Sequence, residues 1–69
     1  MALFSDLEIR VGDIWLLPYD RQITRMRVSR VTQERQIVLV EAEPPPERFW
    51  IRTLVVSQQQ LPKLGTPDG

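Results

Sequence analysis

Between positions 23 and 54 the side chains alternate with a period of two, and no ten-residue stretch carries the apolar spacing of an amphipathic helix. That alternation gives each strand one side to bury and one side to leave wet, so the chain must fold mainly as sheet. The clearest case is Ile23-Thr24-Arg25-Met26-Arg27-Val28-Ser29-Arg30-Val31. Thr24, Met26 and Val28 share one face, and Arg25, Arg27 and Ser29 share the other. The parity then fails, since Arg30 falls on the Met26 side and Val31 on the arginine side, which predicts a bulge or the end of the strand.

Turn residues punctuate the pattern. Gly12-Asp13 precedes Ile14-Trp15-Leu16-Leu17, a β-prone run that Pro18 is expected to stop, with Tyr19 to Gln22 as the loop. Thr32 to Arg35 is polar and short enough for a hairpin. Gln36 to Glu43 then reads as a central strand ended by Pro44-Pro45-Pro46, three residues without a backbone donor and best suited to a rigid loop. Phe49-Trp50-Ile51-Arg52-Thr53-Leu54 resumes the alternation. If Phe49, Ile51 and Thr53 are its core set, Trp50 and Arg52 look outward. Ser57 to Leu61 resembles a single helical turn, and Leu61 to Leu64 a short edge strand.

Several short strands at close spacing select a small antiparallel architecture. The order of features over residues 11 to 64, with a Gly-Asp before the first strand, a long central hairpin and one helical turn before the last strand, resembles the SH3-like barrels. That resemblance implies an all-β domain, a five-stranded SH3-like antiparallel barrel over 11–64, flanked by an N-terminal arm over 1–10 and a disordered tail over 65–69. It carries no activity with it, because this superfold hosts unrelated functions. Length, the Gly12-Asp13 start and Val40-Glu41-Ala42-Glu43 also resemble the plasmid-borne barrel-type dihydrofolate reductases, which are tetramers around a pore. Where that family lines its pore with Val-Gln-Ile-Tyr this chain has Phe49-Trp50-Ile51-Arg52, so the activity is not carried over.

Composition removes further classes. At 69 residues the chain holds one domain, and without cysteine or histidine it has no disulfide, no thiolate or imidazole metal ligand and no histidine base. No cofactor, metal or catalytic residue is expected, and no pair of carboxylates sits at a spacing that suggests acid and base. Met1 to Asp6 lacks the features of a signal peptide and no run is long enough for a membrane span, so the expected compartment is the cytoplasm. The small size also suits a phage or mobile-element gene. Nine basic residues balance nine acidic ones, and eight of the nine are arginine. Arginine forks pair with carboxylate or phosphate and stack on rings.

The candidate binding set is Arg25, Arg27, Trp50 and Arg52, an indole beside guanidinium groups if the two strands present one face. Against it stands the plain possibility of surface arginines and a tryptophan packed under the proline loop. With 42% apolar residues the chain has more greasy surface than so small a core readily encloses. The leading expectation is therefore a non-enzymatic interaction module that binds a protein partner or itself through an Arg/Trp-bearing face. A nucleic-acid-binding barrel is the second reading, and a small oligomeric pore-type enzyme the third.

Overall fold

The computed structural model describes residues 9–68 of the chain. Five strands, β1 (Ile14–Tyr19), β2 (Gln22–Val31), β3 (Gln36–Glu41), β4 (Thr53–Ser57) and β5 (Thr66–Pro67), form one antiparallel sheet in the order β4-β3-β2-β1-β5, and a single helical turn α1 (Leu61–Leu64) precedes the last strand. The all-β class, the five strands and the helical turn agree with the sequence. The sheet is not closed into a barrel: β4 and β5 are its two edges.

One face of this sheet is the core. Trp15 and Leu17 from β1, Met26 and Val28 from β2, Ile37 and Leu39 from β3 and Val56 from β4 are buried there, with Leu54 packed against them. Ile9 and Leu61 cover the cluster from outside the sheet. Each of these strand residues is two places from the next, so the period-two pattern is the direct cause of the single buried face.

The parity failure at Arg30 and Val31 is a β-bulge. The β2–β3 register slips between Val28 and Arg30, which returns Arg30 to the outer face opposite Val38 and Val31 to the inner face opposite Ile37. β1 and β2 are joined by a tighter connection than the four-residue loop expected. Pro18 stays in the strand, paired with Ile23, and only Asp20 and Arg21 turn, both in the left-handed region with φ of 52° and 66°. Two such residues make the primed turn whose twist suits a hairpin. The β2–β3 loop is closed by Thr32, whose N–H donates to the Gln36 carbonyl and whose Oγ1 accepts from the Gln36 N–H.

The end of the chain differs from expectation. Leu61 to Leu64 is helical, since Pro62 lies in the first turn, where its missing N–H costs nothing. The last strand comes afterwards, in the segment expected to be a tail: Thr66 pairs with Leu16, Pro67 with Trp15, and Asp68 N–H donates to the Ile14 carbonyl at 2.9 Å. Gly65 allows this close approach. A Cβ there would lie 2.2 Å from the Leu16 carbonyl oxygen and 2.5 Å from a Leu17 methyl carbon. Of the expected arm, residues 1–8 fall outside the described residues, and Ile9 belongs to the core.

Candidate functional site

Phe49, Ile51 and Thr53 are not a core set. Phe49 is 98% exposed and Ile51 54%, while the opposite phase, Arg52, Leu54 and Val56, turns inward. The strand begins only at Thr53, so Phe49 to Arg52 are irregular chain leading into β4. The cause lies at the end of β3. Glu41 continues the inward set Ile37 and Leu39 and is itself buried, and a buried carboxylate must be paired.

Its partners come from this segment. Arg48 donates from Nη2 to Glu41 Oε2, Arg52 N–H donates to Oε1 at 3.2 Å, and Glu41 N–H donates to the Arg52 carbonyl at 3.0 Å. The Arg48 hydrogen bond, helped by the Arg52 N–H and by both positive charges, holds the Glu41 carboxyl below its ordinary value against the opposing effect of burial. The two guanidiniums then stack on rings, Arg48 at 4.4 Å from the Trp50 centroid and Arg52 at 5.3 Å from that of Tyr19. Arg52 also reaches Asp20 Oδ2 at 3.7 Å. Two further guanidinium nitrogens, Arg48 Nη1 and Arg52 Nε, are buried with no acceptor among the described residues.

The outcome is a knuckle. Arg48 and Arg52, fixed on Glu41, bracket Phe49-Trp50-Ile51 and leave Phe49 almost wholly in water, Trp50 49% exposed and Ile51 just over half. Pro44, Pro45 and Pro46 feed it with stiff chain, and Arg48 N–H closes a turn onto the Pro45 carbonyl at 3.1 Å.

Of the four residues singled out from sequence, Arg25 and Arg27 do share the outer face of β2, opposite Leu16 and Ile14. Arg25 is engaged there, its Nη1 donating to Glu43 and its Nε to Asp68 Oδ2 at 3.1 Å. Trp50 and Arg52 do not join them: Trp50 takes its cation from Arg48, and Arg52 lies on the core side against Tyr19. Sequence reasoning missed Glu41 and Arg48. The available signal was a glutamate at an inward position of a β-branched strand, followed by arginines seven and eleven places on.

Among the described residues no cluster of three or more acidic side chains could hold a metal ion, and no helix is long and apolar enough to cross a membrane. Comparison with protein-family models, with curated proteins and with solved structures finds no match.

Proposed function

We propose that this chain is a non-enzymatic interaction module of SH3-like architecture, which binds a protein partner through the Phe49-Trp50-Ile51 knuckle. The strand order, with a helical turn before a last strand that pairs with the first, supports the SH3-like reading. The observation that carries the binding reading is the 98% exposure of Phe49 next to Trp50 and Ile51. Three large apolar residues in water have a cost, and here an ion-paired glutamate and an arginine stack hold them there. Aromatic residues presented on a stiffened loop are the usual anchors of a protein contact. The nucleic-acid reading draws less support, because Arg25 is neutralised by Glu43 and Asp68 and Arg52 lies on the other face.

A photo-cross-linking amino acid placed at Phe49 and, as a control, at the exposed loop residue Gln33 tests this in the protein's own cells. A discrete protein adduct from position 49 and none from position 33 is the expected result. Equal yields from both positions, or no adduct from position 49, would contradict it.

A further inference from the structure

We propose that the partner is a second copy of this chain, docked edge to edge so that the two β4 strands pair antiparallel and the two sheets run on as one; this rests on the interaction-module reading above. The β3–β4 ladder fixes what β4 offers. Glu41 N–H donates to the Arg52 carbonyl at one end and Gln58 N–H to the Arg35 carbonyl at the other, with the register unbroken between them. In an antiparallel ladder the bonded pairs alternate, so Arg52, Leu54, Val56 and Gln58 spend their backbone groups on β3. Thr53, Val55 and Ser57 point theirs away from the sheet. Among the described residues only the Ser57 carbonyl is already engaged, accepting from Gln60 N–H at 3.0 Å, and a carbonyl has a second lone pair.

Exposed edges are normally guarded by charge, proline or brevity. The other edge is: β5 is two residues long and one of them is Pro67. β4 reads Thr-Leu-Val-Val-Ser, with no charge and no proline. Its outward residues are also symmetric about Val55. In a two-fold pairing Val55 faces Val55 of the second copy, and each Thr53 faces a Ser57, a hydroxyl pair favoured across strands. No like charges meet at the seam, and the formal net charge of zero sets up no repulsion between copies.

Side chains close over the same seam. Val55, 54% exposed, lies on the outer face opposite Val38 of β3, so pairing sets Val38 and Val55 of each copy in one stripe. The exposed knuckle leads directly into this edge. A foreign strand could satisfy the backbone groups, but the Thr53-Val55-Ser57 symmetry and the valine stripe match this chain itself.

The test combines sedimentation with amide exchange. Wild-type protein is expected to sediment as a monomer–dimer equilibrium shifting to dimer with concentration, and the Thr53, Val55 and Ser57 amides, which have no partner among the described residues, to become protected in step. Val55→Lys places two cations on the axis and is expected to raise the dissociation constant by roughly tenfold or more. Val55→Pro removes one outward N–H without touching the β3 ladder and is expected to act likewise. Circular dichroism and the melting midpoint report whether each variant is folded, and Gln33→Lys is expected to dimerise as wild type. A wild-type chain monomeric at its highest soluble concentration would overturn the proposal, as would a dimer whose Val55 amide exchanges freely. A monomer whose position-49 cross-linker still captures a different protein removes the second copy and keeps the interaction module, whereas a monomer with no adduct removes both.

Discussion

The guanidinium of Arg52 lies 5.3 Å from the centre of the Tyr19 ring, on the opposite side of the sheet from Arg25. Two arginines that the sequence pattern groups together thus lie on opposite faces of the sheet, with β3 between them. Arg25 ties Asp68, just after β5, to Glu43, two residues past β3, while Arg52 supports the knuckle. Substituting them should therefore have different consequences. Arg25→Gln is expected to loosen β5, seen as faster exchange of the Asp68 amide, and to leave cross-linking from position 49 unchanged. Arg52→Gln is expected to reduce that cross-linking. Identical effects from the two variants would contradict the division.

Glu41 ties stability to acidity. Its folded-state carboxyl titrates below the ordinary value of 4.5, chiefly because Arg48 hydrogen-bonds the charged form. As the pH falls through that ordinary value the unfolded chain takes up the proton first, so the stabilisation present at neutral pH is lost progressively on further acidification. Wild type is expected to melt at steadily lower temperature below about pH 4.5. Glu41→Gln should melt below wild type at neutral pH and depend less on pH in the acid range. A variant with the wild-type acid slope would show that other carboxylates govern it.

The core can be tested by size alone. Leu39 is fully buried at the centre of β3, and Leu39→Ala should cost about 2–5 kcal/mol. A domain of 69 residues has about 3–10 kcal/mol in total, so this variant should be largely unfolded or strongly shifted in a urea titration. A midpoint within error of wild type would contradict the assigned inner face.

Much of this arrangement is legible in the sequence, and the failures have physical causes. β2 could be read because Met26 and Val28 fall on one parity with Arg25 and Arg27 on the other, and the misplaced Arg30 and Val31 announced the bulge. The phase of 49–54 could not, because both parities contain large apolar residues and local alternation has no preference between them. The choice was made by a distant group, the buried Glu41, which requires Arg48 and the Arg52 N–H. Pro62 was ambiguous in the same way. It suits an edge strand and the first turn of a helix equally, and only the packing of Leu61 into the core decides for the helix.

The β1–β2 turn carries strain that can be removed. Arg21 sits at φ 66°, a region that costs a side-chain-bearing residue about 1–2 kcal/mol. Glycine there forfeits about 0.5–1 kcal/mol in backbone entropy. Arg21→Gly should therefore raise the urea midpoint modestly with an unchanged slope, and a lower midpoint would refute the primed turn. Gly65→Ala should do the reverse, since the Leu16 carbonyl cannot move away from a new Cβ without lifting β5 from β1.

Hydroxyl-radical footprinting reads the proposed contact most directly, because aromatic side chains in water are among the fastest to react. In dilute purified protein Phe49 and Trp50 should label heavily. In concentrated extract of the protein's own cells they should be protected, with Tyr19 and Gln33 unchanged. Equal labelling of Phe49 and Trp50 in the two conditions would contradict the claim that this knuckle is where the protein binds.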